Sequence, residues 1–184
     1  MNVPRPVWVA LYVMAGLGAV VLAVVGFLCF AGGRWNLSAS IPVGLYWTSK
    51  SPISRGALVV ACPPNTKLIK LARERTYIDG GNCPGGYGHL MKQVVAVGGD
   101  VVQITTTGVV VNGHAVPDSA PLIKDPDGRP MPSVSGSIYT LPSRELLLMG
   151  VGNPLSFDAR YFGPVGRESI IDVITPVYTW ANKE

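Results

Sequence analysis

An uncharged apolar stretch near the amino-terminal end constrains this chain more than any other feature. Residues 7–31 contain no Asp, Glu, Lys or Arg. At about 1.5 Å per residue, a helix of this length measures roughly 37 Å, which exceeds a hydrocarbon core of about 30 Å. It is also longer than the apolar core of roughly 7–15 residues in a cleavable signal peptide. A buried core helix is the alternative, and we predict a retained transmembrane anchor within residues 1–33.

The remainder, residues 34–184, is long enough for one domain with its own hydrophobic core. The net charge of +4 is modest and scattered, and no basic run with interleaved aromatic residues indicates a nucleic-acid surface. Basic residues lie on both sides of the apolar stretch, so the positive-inside rule does not decide its orientation. We expect membrane lipid as a partner and no nucleic acid.

Short apolar runs separated by Gly and Pro follow the anchor and predict a mainly β domain. Strands are expected at residues 57–61, 92–97, 101–104, 109–111 and 145–149. Asn112-Gly113 is a signal for a two-residue hairpin turn. One short helix is expected within residues 65–77, and a stretch rich in Pro, Ser, Asp and Gly predicts a surface loop at residues 117–137. The expected architecture is a folded antiparallel sheet or partial barrel.

The cysteines and histidines favour a disulfide over a metal site. Cys62 and Cys83 lie in loop-like contexts rich in proline or glycine. In a domain outside the cytosol they would form a disulfide, and two unrelated thiols are the alternative. His89 and His114 show no paired ligand spacing, which argues against zinc. We predict no metal and no cofactor, and we expect His114 to be an exposed neighbour of the hairpin turn.

A lysine is the predicted catalytic base. Neither histidine lies in a context that favours a Ser-His-Asp triad, and no G-x-S-x-G elbow occurs. A desolvated lysine is the usual substitute, because burial can lower its pKa from about 10.4 to about 7–8. Lys92 lies in the apolar run 90–97 without a neighbouring acid. An edge-strand lysine that faces water is the alternative interpretation.

Two serines shortly after the anchor are candidates for attack on a carbonyl. Ser38 and Ser40 lie two residues apart, so an extended segment would point both side chains to the same face. One could attack while the other donates to the oxyanion, together with the backbone N–H of Ser40. A plain Ser-x-Ser linker near a membrane is the alternative. Ile41, Pro42 and Tyr46 are expected to help build a substrate-binding surface that reaches toward lipid.

Three separated blocks of the sequence resemble the signal peptidase I clan of membrane-bound serine–lysine proteases. Residues 40–45 resemble the clan's S-M-x-P-T-L box, which marks Ser40 as the nucleophile. Ser38 matches the place of the serine in the oxyanion hole. Residues 91–100 resemble the K-R-V-V-G-x-P-G-D box, whose lysine, here Lys92, is the general base. The resemblance implies a serine endopeptidase with a folded sheet of the signal-peptidase type.

The third block, residues 156–163, resembles the S-x-D-S-R-x-x-G box and contains Ser156, Asp158 and Arg160. The resemblance implies that Asp158 is needed for activity. Asp158 could pair with Arg160 and brace the site, or orient the lysine through Ser156; a purely structural salt bridge is the alternative. A carboxylate bonded directly to Lys92 would raise the pKa of the lysine, so we expect a bracing or indirect role.

Two departures place the chain nearer to the conjugative-transfer branch of the clan than to its secretory members. Val151 stands where the secretory enzymes usually carry aspartate, and Pro42 follows the nucleophile by two residues instead of three. The branch implies a pilin precursor as substrate, which some members also join into a ring. It further implies a single-pass protein of the bacterial inner membrane, with its catalytic domain on the periplasmic side.

Two other functions remain open at the level of sequence. A general type I signal peptidase would cleave secretory signal peptides, and Val151 and the short domain disfavour it. A non-enzymatic, membrane-tethered module of a transfer apparatus would leave the blocks around Ser40, Lys92 and Asp158 without an explanation. For either enzyme, the partner is an exported protein.

Overall fold

The computed structural model describes residues 5–132, 134, 136 and 138–180, and the chain divides into two compact units. The first unit, Met1–Arg34, contains helix α1 (Arg5–Phe30). Within this helix, Pro6–Leu28 has a mean hydropathy of 2.4 and is not buried by the rest of the protein. By length and composition α1 could be a membrane anchor or a signal sequence. Residues 1–4 of the predicted tail lie outside the described residues.

The second unit, Trp35–Glu184, is built mainly from strands. After α1, the elements in chain order are β1 (Gly33–Asn36), β2 (Val43–Ser49), β3 (Leu58–Ala61), α2 (Lys67–Glu74), β4 (Gly80–Cys83), β5 (Leu90–Val97), β6 (Val101–Thr105), β7 (Gly108–Val111), β8 (His114–Ala115), β9 (Tyr139–Thr140), β10 (Glu145–Met149), α3 (Ala159–Phe162), β11 (Val165–Gly166) and β12 (Ile170–Trp180). Residues 181–184 of the predicted domain lie outside the described residues.

Seven strands form one sheet in the order β1-β2-β12-β3-β5-β10-β11. The pairs from β2 to β11 in this order are antiparallel. β12 joins the two halves of the sheet, because it pairs with β2 on one side and with β3 on the other. Four further strands form a second sheet in the order β8-β7-β6-β9. The predicted mainly β fold, with a folded antiparallel sheet and one amino-terminal helix, is confirmed.

The alternation of side chains along β5 decides the environment of the predicted base. Leu90, Lys92, Val94 and Ala96 are buried, and the residues between them are half-buried. Val94 belongs to an apolar cluster that fills one face of the sheet. Because alternate residues of a strand share a face, Lys92 points to the buried side. β5 lies between β3 and β10, so the alternative of an edge-strand lysine facing water is wrong.

The hairpin prediction is confirmed, whereas four strands of the large sheet, β1, β2, β11 and β12, were not predicted. β7 and β8 pair across Asn112-Gly113, whose φ angles are 51° and 80°. In β12 the pattern is interrupted by Pro176, which lacks an amide donor, and the pairing with β2 shifts register between Pro176 and Tyr178.

The predicted loop at residues 117–137 is not a simple surface loop. Ser119 and Asp125 are buried, and the backbone N–H of Leu122 donates to the Tyr161 hydroxyl at 2.9 Å. We call residues 120–131 the strap, because they are bonded to other parts of the domain. Residues 133, 135 and 137 of the predicted loop lie outside the described residues.

A disulfide joins Cys62 and Cys83, which are 21 residues apart. The enclosed segment contains α2, which lies within the predicted helical stretch and is capped by the Thr66 side chain. Cys83 packs in an apolar cluster with Leu90 at the start of β5. The bond therefore fixes the chain segment that leads into the strand carrying Lys92.

We expect loss of this disulfide to destabilise the domain by about 3 kcal/mol, because closing a loop of this length removes conformational entropy from the unfolded chain. Denaturant unfolding of the full-length protein in detergent would measure the change. Reductant should lower the wild-type stability to that of the Cys62→Ser/Cys83→Ser double variant. The double variant itself should not respond to reductant, and equal stability of all samples would contradict the prediction.

Candidate active site

Three distant parts of the chain meet at the amino group of Lys92. Its Nζ lies 2.7 Å from Ser40 Oγ and 2.6 Å from Ser156 Oγ. Only 2% of the lysine is exposed. Strand β5 supplies the lysine, the loop between β1 and β2 supplies Ser40, and the loop after β10 supplies Ser156. The structure therefore brings three of the residues that the sequence singled out into one hydrogen-bonded group.

Burial changes the acidity of this lysine. Desolvation is the largest effect and lowers the pKa of Lys92 from 10.5 to about 8. Asp158 opposes the shift by electrostatic attraction, and Arg160 adds to it by repulsion. Close to neutral pH, the uncharged fraction of the Lys92 amine is therefore much larger than for an ordinary lysine, and this fraction has a free lone pair. Such an amine can accept the proton of a bonded hydroxyl.

The loop at residues 37–42 carries the predicted nucleophile Ser40, is called the nucleophile loop for that prediction, and is tied to the loop that follows β10. Ser40 O accepts a hydrogen bond from Val151 N at 2.7 Å. Gly150 lies beside this contact, and a Cβ there would be only 2.3 Å from Ser156 Oγ and 3.0 Å from Ser40 O. Only glycine therefore fits at this position without moving both serines. Neither a motif nor a spacing in the sequence indicated this close approach at Gly150.

Asp158 and Arg160 form a buried ion pair beneath the loop after β10. Arg160 Nε donates to Asp158 Oδ1 and Nη2 donates to Asp158 Oδ2, both at 2.8 Å. Neither side chain is more than 1% exposed. Among the described residues no ion pair joins Asp158 to Lys92, whose pKa a direct contact would raise. The geometry agrees with a bracing arrangement.

The same ion pair holds the backbone on both sides of Ser156. Asp158 Oδ2 accepts from Gly150 N at 2.9 Å, and Arg160 Nη2 donates to Ser156 O at 2.8 Å. Arg160 Nη1 donates to the carbonyls of Pro154 and Ala120, both at 3.2 Å. One guanidinium group therefore contacts both the backbone beside Ser156 and the strap.

A cleft of about 410 Å³ opens beside the lysine and is lined by Ser38, Ser40 and Ser156. The strap forms one of its walls, and Asp125 is the buried acid of that wall. Burial alone would raise the pKa of Asp125, but hydrogen bonds from Tyr77 and Arg129 lower it to about 2. The Asp125 carboxyl group in this wall therefore stays ionised at neutral pH. No sequence pattern indicated this cluster, because Tyr77 is 48 residues from Asp125 in the chain.

Two of the three residues predicted to contact substrate are buried. Ile41 and Tyr46 have no exposed surface and belong to a core cluster with Ile174. The Tyr46 hydroxyl donates to Pro42 O at 2.5 Å. The expectation that Ile41 and Tyr46 build a substrate or lipid surface is wrong, because these side chains support the nucleophile loop from the core side. Pro42 itself is exposed.

Both histidines are exposed. His89 lines the cleft, a position that its turn-like sequence context did not predict. Among the described residues, Cys62, Cys83 and His89 bring possible metal-ligand atoms within 4.8 Å of one another. Since the two sulfurs are bonded to each other, they offer no thiolate in this state.

Comparison with known proteins reveals a family match and several relatives. The model of the family described as signal peptidase, peptidase S26, matches residues 6–180. Two plasmid transfer proteins TraF from Escherichia coli are 51% and 49% identical, over 92% and 91% of this chain and 95% and 93% of their own. A probable conjugal transfer protein TraF from Sinorhizobium fredii is 39% identical over 91% of this chain and 90% of its own. The crystal structure of a signal peptidase I from Enterococcus faecalis V583 covers 68% of this chain and 98% of its own, with a TM-score of 0.40 and 19% identity.

We expect the buried amine to cost stability in a pH-dependent way. With a folded-state pKa of about 8 against 10.5, the unfolded chain binds more protons between these values, so stability rises with pH across that window. Lys92→Met lacks this dependence. Its stability advantage over wild type should therefore shrink by about 3 kcal/mol between pH 7 and pH 11. Denaturant unfolding at both pH values measures the difference, and a constant difference would refute the lowered pKa.

Proposed function

The chain belongs to the signal peptidase family, peptidase S26, and from this premise we propose that it is a serine endopeptidase with Ser40 as nucleophile and Lys92 as general base. One observation carries the proposal. The Lys92 amine is buried, has a pKa lowered to about 8, and lies 2.7 Å from Ser40 Oγ. Buried lysine beside a serine hydroxyl is an arrangement suited to proton transfer. A non-catalytic module would have no use for such a costly group.

In the first half of the reaction, Ser40 attacks the scissile carbonyl while neutral Lys92 takes its proton. The negative oxygen of the tetrahedral intermediate is stabilised by the Ser40 N–H and the Ser38 hydroxyl. A donor in such a place is typically worth roughly 3–4 kcal/mol. The protonated lysine then gives its proton to the leaving amine, and the acyl group remains as an ester on Ser40. The lysine is neutral again at this stage.

In the second half, neutral Lys92 takes a proton from the group that attacks the ester. Water as the attacking group yields hydrolysis. An amine at the other end of the same substrate yields a new peptide bond and a ring, without an external energy source, because the ester retains energy from the cleaved amide. Ser156 holds the lysine through the 2.6 Å contact, and the Asp158–Arg160 pair keeps Ser156 in place.

The substrate proposed for this enzyme is a pilin precursor that is matured for conjugative DNA transfer. The names of relatives that are about half identical, plasmid transfer proteins TraF, support this choice over secretory precursors. The substrate would lie extended in the cleft, with Pro42 exposed near the nucleophile. Helix α1 would anchor the enzyme in the inner membrane with the catalytic domain in the periplasm, an oxidising compartment in which the Cys62–Cys83 disulfide persists.

Processing of the pilin precursor in cells tests this function. Ser40→Ala and Lys92→Ala should abolish processing, and Ser38→Ala should weaken it, because the oxyanion keeps one donor. Lys70→Ala, an exposed lysine on α2, is the matched control and should process normally. Mass spectrometry of the product distinguishes the linear peptide from a ring, which is lighter by one water. Normal processing by Lys92→Ala would refute the dyad, and cleavage of secretory signal peptides alone would indicate a general signal peptidase.

We expect kcat/KM to rise with pH through a midpoint near 8, because only neutral Lys92 can accept the Ser40 proton. The measurement is a pH profile of peptide cleavage by the purified full-length protein. Ser38→Ala should lower kcat/KM at every pH without moving the midpoint. The described hydrogen bonds of the Ser38 hydroxyl and N–H go to Asn36 and not to the lysine amine. A flat profile from pH 6.5 to 9.5 would contradict a lysine base.

A further inference from the structure

Asn36, the last residue of β1, has a buried side chain whose five described hydrogen bonds all go to residues of the nucleophile loop. Its Nδ2 lies 2.8 Å from Ser38 O, 2.9 Å from Ile41 O and 3.1 Å from Pro42 O. Its Oδ1 lies 3.1 Å from Ser38 N and 2.9 Å from Ser38 Oγ. Asn36 is only 2% exposed. One amide group thus spans the loop on both sides of Ser40.

The orientation of this amide follows from its partners. Three carbonyl oxygens surround one of its terminal atoms, so that atom must be the nitrogen. The other atom is the oxygen, which has no hydrogen to donate. The Ser38 hydroxyl is therefore the donor in its bond to Asn36, and its hydrogen points at Asn36 in the enzyme without substrate. The Ser38 N–H bond to the same oxygen fixes the backbone from which the hydroxyl extends.

We propose that Asn36 is the positioning residue of the oxyanion hole. It holds Ser38 Oγ at the edge of the cleft and sets the curvature of the loop that carries the Ser40 N–H. When the oxyanion forms, rotation of the Ser38 hydroxyl exchanges a neutral amide acceptor for a charged one, which binds more strongly. The Ser38 N–H bond keeps the oxygen of the hydroxyl in place during this exchange. The inference rests on the proposed serine peptidase function.

The chemistry of other side chains explains why asparagine suits this position. Aspartate would keep the acceptor but has no N–H for the three carbonyls, which share the two hydrogens of Nδ2. Alanine would leave the buried Ile41 carbonyl without its partner, and it would also remove the acceptor that orients the exposed Ser38 hydroxyl.

A double-mutant cycle tests whether Asn36 acts through Ser38. The variants are Asn36→Ala, Ser38→Ala and the double variant of the full-length protein in detergent. Hydrolysis of N-acetyl-alanine p-nitrophenyl ester gives kcat and KM for each variant. The rate with Ser40→Ala measures the background hydrolysis that does not use the proposed nucleophile. Each single variant should lose about 100-fold in kcat with little change in KM. The double variant should lose about as much as one single variant, instead of the roughly 10⁴-fold product expected for independent sites.

Asn112→Ala provides a control for loss of stability. Asn112 also bonds through both ends of its amide, to Val101 N and Asp100 Oδ1, but it lies in the hairpin of the second sheet. We expect this variant to melt at a lower temperature and to keep its kcat. Asn36→Asp, which preserves the shape of the side chain, provides a second cycle with Ser38→Ala if Asn36→Ala does not fold.

The outcomes separate this inference from the proposed function. Full ester hydrolysis by Ser40→Ala would overturn the peptidase assignment itself. An inactive Ser40→Ala together with a fully active Asn36→Ala would overturn the positioning role alone. Multiplicative losses in the double variant, or a loss confined to KM, would also overturn it, because a residue that only stabilises the fold acts independently of Ser38.

Discussion

The amino group of Lys92 is the constraint on which the rest of this structure depends. Removing an ammonium group from water is unfavourable, so the folded chain favours the neutral amine and lowers its pKa to about 8. The two hydroxyls of Ser40 and Ser156 satisfy the hydrogen-bonding capacity of the amine. The strand geometry of β5, the close approach at Gly150 and the loop that carries Ser40 all serve to bring these groups together.

In the buried Asp158–Arg160 pair, the two opposite charges have opposing effects on the pKa of the Lys92 amine. A buried carboxylate alone would stabilise the ammonium form of Lys92 and remove its capacity as a base. The guanidinium opposes this effect, because its own field disfavours the ammonium. The pair can therefore organise the backbone around Ser156 and the strap through several charge-assisted bonds while adding little net charge to the site. A neutral hydrogen-bonding side chain would offer weaker support.

Sequence patterns predicted the parts of this protein that depend on local chemistry. The apolar stretch gave α1, Asn112-Gly113 gave the hairpin, and the run around Lys92 gave the strand with a buried lysine as one of two interpretations. Sequence did not predict β12, where Pro176 interrupts the pattern, or the burial of Ile41 and Tyr46 behind the nucleophile loop. Those features arise from pairing and packing between segments far apart in the chain, which periodicity along one segment does not report.

The position of β12 between β2 and β3 gives the order of synthesis a structural consequence. The strand next to the nucleophile loop and the strand that pairs with the Lys92 strand become parts of one sheet only through residues 170–180. A ribosome delivers these residues after both serines and the lysine. The last strand to be synthesised is thus the one that links β2, which follows Ser40, to β3, which pairs with the strand carrying Lys92.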